Sequence, residues 1–237
     1  MDRAILLFLC FTVLFTSCQR EPKYAPSVLV LVDFSESARD ELDFYHEQLH
    51  IIVNEMLANS RLVVGKITDK TEAVFNPFID CEFPSENFWT TNPEDVKDMR
   101  DSIQTKFRTI CSEIFRNPIL SRETDILSGL GLIQDIFPTE KRRILVLLSD
   151  MLQCSKEFDL EKAEITEAYI NNTIANLKRF NLIPNLQGVE LYVAGARAPT
   201  QERYRAVKQF WLRFFAETGG ELKSYAHPLL HFKLKSK

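Results

Sequence analysis

Glycine is scarce in this chain of 237 residues, with only 7, and proline is held to 10, which excludes fibrous, collagen-like and low-complexity architectures. A strong charge of either sign is also missing. The 29 Lys and Arg nearly balance 33 Asp and Glu, a formal net charge of -4, so no basic field exists to hold a phosphate backbone. Nucleic acid is therefore not an expected partner. No apolar run reaches the roughly 20 residues of a membrane-spanning helix. The 5 cysteines show no zinc-finger spacing, and neither a Gly-rich phosphate loop nor a GxSxG nucleophile elbow occurs. What is present is the make-up of a soluble globular protein, 45% hydrophobic, 11% aromatic and 26% charged, able to bury one sizeable core.

The first residues read as an address. In MDRAILLFLCFTVLFTSC one Arg precedes an apolar stretch from Ala4 to Phe15, closed by the small residues Thr16 and Ser17. Residues 1–17 are expected to be an export signal. The arrangement resembles a bacterial lipoprotein signal, with Phe15 standing where an aliphatic residue is usual, and the resemblance implies that Cys18 is acylated and becomes the mature N-terminus. An ordinary cleaved signal peptide or a weak membrane anchor is the alternative. The chain is expected in the cell envelope, periplasmic or surface-exposed, and on the lipoprotein reading its lipid holds it to a membrane. Residues 18–26 form a polar linker, and 27–237 a single domain ending in a short solvated basic tail of Lys233, Lys235 and Lys237.

Strands and helices alternate through that domain. SVLVLVDF at 27–34, RLVVGKIT at 61–68, RRILVLLSD at 142–150 and LQGVELYVAGA at 186–196 are apolar runs of the kind found in strands covered on both faces. Between Ala38 and Asn59 the residues Leu42, Tyr45, Leu49, Ile52, Val53 and Met56 make one helical stripe. Asn92 followed by Pro93, Glu94 and Asp95 starts a helix that runs to about Phe115. Further helices are predicted at 125–137, 160–180 and 199–217, with a last short strand after Gly219 and Gly220. AVFNPFID at 73–80 is predicted to return beside the second strand, where Pro77 suits a sheet edge. The pattern is α/β, with a mainly parallel sheet and helices on both faces.

Ligands of such sheets sit at the carboxyl ends of the strands, near the switch in strand order. There the sequence places Asp33, Ser35 and Ser37 in VLVLVDFSES, whose alternate residues project the same way, and Asp150 at the end of ILVLLSD. Thr124 lies in the loop before TDILSGLGLI, on the same edge. This ordered set resembles the metal-ion-dependent adhesion site of von Willebrand factor A domains, and the likeness in motif and element order runs over residues 27–225. The resemblance implies a three-layer, doubly wound, Rossmann-like sheet that is mainly parallel with one antiparallel edge strand. It implies that Ser35, Ser37 and Thr124 ligate a divalent ion, usually magnesium, with manganese or calcium as substitutes, and that Asp33 and Asp150 complete the shell, partly through water. The implied function is non-enzymatic binding of a protein partner that offers Asp or Glu to the ion. The chemistry is coherent: magnesium takes hard oxygen ligands, and three neutral hydroxyls with two carboxylates leave it electrophilic enough to accept another carboxylate. Glu36 and Met151 stand where many family members have Gly. Each part also has a plainer reading, since Ser37 before Asp40 and Thr124 before a helix can be simple caps.

A rival motif sits in the first helix. His46, Glu47 and His50 in HEQLH match HExxH, in which two histidines one turn apart bind zinc and the glutamate serves as general base of a peptidase. A third ligand is required, and Glu72 is the best candidate. A haloacid-dehalogenase-type enzyme is disfavoured because Ser35 replaces the second aspartate, its general acid.

With the signal removed, Cys81, Cys111 and Cys154 remain. The element order brings Cys111, late in its helix, and Cys154, shortly after Asp150, toward one edge, so a Cys111 to Cys154 disulfide is expected, with reduced buried thiols as the alternative. Phe75, Phe78, Phe83, Phe88 and Trp89 are expected to cover the sheet's edge, a recognition patch being the other use for them.

Overall fold

The computed structural model describes residues 25–69, 71, 75–85 and 92–234. The export signal at 1–17, Cys18, most of the linker, Glu72, Phe88, Trp89, Lys235 and Lys237 lie outside the described residues. Among those described, no helix is long and apolar enough to cross a membrane.

Six strands form one sheet: β1 Ser27–Asp33, β2 Arg61–Ile67, β3 Ile79–Glu82, β4 Arg143–Leu148, β5 Val189–Ala194 and β6 Glu221–Tyr225. Their spatial order is β3-β2-β1-β4-β5-β6, parallel throughout except for β3, which runs antiparallel to β2 at the edge. The helices are α1 Leu42–Glu55, α2 Pro93–Arg116, α3 Ile126–Ile136, α4 Glu167–Arg179 and α5 Gln201–Thr218. Their starts follow local chemistry. Asn92, Asp125, Thr166 and Thr200 each accept a backbone N–H of the first turn, and Gly219 ends α5 at a φ of 73°, which a residue without Cβ adopts freely.

Strand alternation sorts the core into two faces. Val28, Val30 and Val32 of β1 pack with Leu42, Tyr45 and Leu49 of α1 and with Phe107 and Cys111 of α2. Leu29 and Leu31 pack with α3, α4 and α5, including Leu130, Ile174 and Trp211. At roughly 1.5 to 3 kcal/mol for each large side chain buried, these two faces dominate the stability. Phe83 is buried in the first face, and Phe78 is partly buried against it, while Phe75 packs against the second.

Two elements differ from the sequence reading. The edge strand begins at Ile79 rather than residue 73, because its pairing covers only residues 61–64 of β2, and Pro77, which has no N–H to give a ladder, lies before it. The helix expected from residue 160 begins at Glu167, since Leu160 is instead buried in the core, with its N–H on the Gln153 carbonyl at 2.7 Å.

Candidate metal centre at the carboxyl edge of the sheet

The strand order reverses between β1 and β4, so the loops leaving these neighbours diverge and open a crevice at their carboxyl ends. Three loops meet there and are stitched by backbone hydrogen bonds. Ser121 N donates to Phe34 O at 2.8 Å and Glu36 N to Ser121 O at 2.9 Å. Thr124 and Cys154 exchange both bonds, at 3.0 and 3.1 Å. The buried Gln153 side chain adds a fourth tie, accepting from Ile126 N at 2.7 Å and Leu127 N at 3.1 Å, so that the loop after β4 holds the start of α3.

Within this frame the structure brings together Asp33, Ser35, Ser37 and Asp150. Asp33 Oδ1 accepts from Ser35 N at 2.9 Å, and its Oδ2 accepts from Ser149 Oγ at 2.7 Å. The hydroxyls of Ser35 and Ser37 lie 3.1 Å apart, and Ser37 is close enough to the Asp150 carboxylate to lower its pKa against the effect of burial. Asp150 Oδ1 also accepts from Leu152 N at 2.8 Å. Thr124 is buried in the adjoining loop. Neither Ser37 nor Thr124 caps a helix: the chain enters α1 through a short 3-10 turn at Arg39–Glu41 with no side-chain cap, and Asp125 caps α3. Their hydroxyls are therefore not committed to the plainer role.

The electrostatics of this cluster are those of a site short of positive charge. Asp33 and Asp150 are both buried, and no ion pair among the described residues involves either one. Burial raises the pKa of Asp33 against the opposing hydrogen bonds from Ser149 and Ser35. Burial, then the charge of Asp33, raises that of Asp150. Beneath them lies Tyr45, whose buried hydroxyl has no hydrogen-bond partner among the described residues and whose pKa is pushed far up by burial and by the same two aspartates. Two buried carboxylates without an ion-pair partner among the described residues, Asp150 being eased only by the more distant charge of Arg197, together with a set of hydroxyl oxygens and an orphaned phenol, suit a hard divalent cation with retained waters. Nitrogen and sulfur ligands, which softer metals prefer, are absent from the set.

Sequence reasoning missed Ser149, Tyr45, Gln153 and Arg197. Ser149 directly precedes Asp150 and could have been found from that adjacency. Arg197 pairs with the nearly buried Glu41 at 2.7 Å, and Glu41 also meets His227 Nε2 at 2.9 Å, which pins the segment after β6 to the site edge. No local pattern announces contacts of this range.

The departures at Glu36 and Met151 have different outcomes. Glu36 needs no glycine, pairing with Arg39 at 2.6 Å on the surface. Met151 adopts a φ of 70°, so this chain holds a buried methionine in the left-handed conformation that glycine tolerates best.

The other expected groups lie apart from the crevice. His46 and His50 bring their Nε2 atoms to 3.2 Å, but their rings pack on Phe115 and Phe107 of α2, and Glu47 is exposed. Among the described residues no group of three or more His, Cys, Asp or Glu could hold a metal ion. The expected disulfide is not formed: Cys81, Cys111 and Cys154 are free thiols. The helical phase of Cys111 turns it into the core facing β1, whereas Cys154 is fixed to the Thr124 loop. Burial raises the Cys111 thiol to about 12.

No protein-family model and no curated protein sequence matches the chain. Among solved structures it is similar to a von Willebrand factor type A protein from Catenulispora acidiphila, at 12% identity over 85% of this chain and 39% of that one, with a TM-score of 0.40. It is also similar to the pilus adhesin SpaC of Lactobacillus rhamnosus GG, at 9% identity over 85% and 28%, with a TM-score of 0.44. The human COPII-coat protein Sec24c is a third, at 14% identity over 89% and 30%, with a TM-score of 0.42. The chain spans less than half the length of each. At this distance none of the three bears on what it binds.

Proposed function

We propose that this chain is a divalent-cation-dependent protein-binding module of the von Willebrand factor A type. The observation that carries the proposal is the meeting of Asp33, Ser35, Ser37 and Asp150 in one largely buried cluster, with no ion pair to either carboxylate among the described residues. Asp33, Ser35, Ser37, Thr124 and Asp150 would hold the ion, magnesium fitting this oxygen set best. A bound ion supplies a hard electrophilic centre to which a partner's Asp or Glu can bind. The chain's own groups do the rest: Ser149 and the Ser35 backbone fix the Asp33 carboxylate, Leu152 N orients Asp150, and the stitched loops keep the three ligand-bearing segments in place. On this proposal the role is binding: the serine hydroxyls and the two carboxylates serve as oxygen ligands of the ion. On the same proposal Cys18 carries the lipid that anchors the module in a bacterial envelope, and Cys18→Ser releases it from the membrane fraction.

Thermal unfolding with magnesium and with chelator tests the site. At a free ion concentration about a hundredfold above Kd the native state gains about 2.7 kcal/mol, a shift of several degrees that Asp33→Ala removes. Pull-downs from envelope extracts should lose the partner when chelator is added. No magnesium response, together with stoichiometric zinc that disappears in His50→Ala, would replace this reading with the HEQLH metal site.

A further inference from the structure

Beside the Asp33 cluster, where β2 continues past the end of its pairing with β3, a cleft of about 360 Å³ opens. Phe75, Phe78 and Ile114 give it apolar walls, and Lys66, Thr71 and exposed Asn76 give it polar ones. Lys66 stands in register with Val32, one residue before Asp33, and strand alternation puts it on the Phe34 face. Its Nζ lies 4.6 Å from the centroid of the Phe34 ring. Lys66 is half-buried, and burial lowers its pKa, yet none of the ion pairs among the described residues uses it. A ring face compensates a partly desolvated ammonium only in part, and a carboxylate in the cleft would complete the compensation. The Thr71 hydroxyl is already committed, donating to Thr68 O and accepting from Thr68 N, both at 3.0 Å. The ammonium is thus the strong donor that the cleft can offer a ligand.

We propose that this cleft is a carboxylate-binding subsite, taking a glutamate or aspartate side chain of a protein partner with its carboxylate on Lys66 Nζ and its methylene stem against Phe75, Phe78 and Ile114. One cation and apolar walls match a single negative charge on an apolar stem. A phosphate calls for several donors, such as an arginine fork or a nest of backbone N–H groups, and among the described residues no arginine lines the cleft. The subsite needs no metal and stands whether or not the Asp33 cluster binds one. The two are nonetheless neighbours, since Asp125 N, next to Thr124, donates to Thr68 O at 3.0 Å across their shared wall. One acidic partner segment can therefore engage both.

The probe is glutamate blocked at both ends as N-acetyl and N-methylamide, titrated into the isotope-labelled full chain in the presence of chelator and followed by backbone amide shifts. Shifts at Thr71, Asn76 and Phe78 are expected, with affinity falling about tenfold or more in Lys66→Met, which keeps the stem, and recovering in Lys66→Arg. Asp33→Ala should leave the response intact, which separates this subsite from the metal reading. Equal binding by blocked glutamine, unchanged affinity in Lys66→Met, no shift at the cleft, or inorganic phosphate binding more tightly than the glutamate would each overturn the proposal.

Discussion

Ser149 and Asp33, 116 residues apart in the chain, are joined by a 2.7 Å hydrogen bond from Ser149 Oγ to Asp33 Oδ2. The same hydroxyl accepts from Met151 N at 2.9 Å, so one oxygen holds a β1 carboxylate and the turn after β4 together. This is the point at which the strand order reverses, and the bond fixes the geometry of the crevice rather than merely adding to stability.

Ser149→Ala leaves a buried carboxylate oxygen and a buried N–H without this partner. The expected cost is about 1 to 3 kcal/mol by denaturant unfolding. Ser155→Ala, whose hydroxyl meets Glu157 on the surface, is the comparator and should stay within about 0.5 kcal/mol. Equal effects of the two substitutions would show that the bond has no special weight.

Asp150→Asn removes one of two buried like charges while its amide oxygen can still accept from Leu152 N. In chelator the variant should melt higher than the parent, by a few degrees for about 1 kcal/mol of relieved repulsion. With magnesium the order should reverse, since the parent gains and the variant does not. A variant that melts lower in both conditions would argue against uncompensated charge in the crevice.

Met151 sets two effects against each other. Its left-handed backbone costs roughly 1 to 2 kcal/mol in a residue with Cβ, while truncating its fully buried side chain costs roughly 2 to 5. Met151→Gly and Met151→Ala should both destabilise, because the packing loss is the larger, but the glycine variant should be equal to or more stable than the alanine one. The reverse order would mean that the backbone there is not strained.

Acid should weaken the contact between α1 and α2. Burial, then His46 and Arg108, hold His50 below its ordinary value of 6.5, so the fold favours the neutral ring. The contribution is complete above pH 6.5 and is lost as the pH falls through the lowered folded value. Thermal unfolding between neutral and mildly acid pH should therefore drop more steeply in the parent than in His50→Gln. His50 is partly solvated, which keeps the difference small, but parallel curves would show no linkage at this position.

Much of the fold was legible because buried parallel strands write themselves as unbroken apolar runs, as in Val28 to Val32 and Ile144 to Leu148. Helix starts were legible where the cap is local and unambiguous, as at Asn92, whereas at the next helix Thr124 was the candidate cap and the structure gives that role to Asp125. The expected bridge between Cys111 and Cys154 failed because element order gives the edge a residue approaches but not the face it turns to, which helical phase decides. The start of β3 was misplaced because an edge strand has only one neighbour to define its length.

The sequence alone determined the alternation of strands and helices and the oxygen-bearing residues at the ends of two strands, since both are matters of local periodicity. Only the tertiary structure decided that Ser37 turns to Asp150 instead of capping α1, that Ser149 grips Asp33, and that Tyr45 and Lys66 stand without a polar partner among the described residues. Those facts depend on distances between segments far apart in the chain, and such distances are set by how two faces of a sheet pack, not by any residue's immediate neighbours.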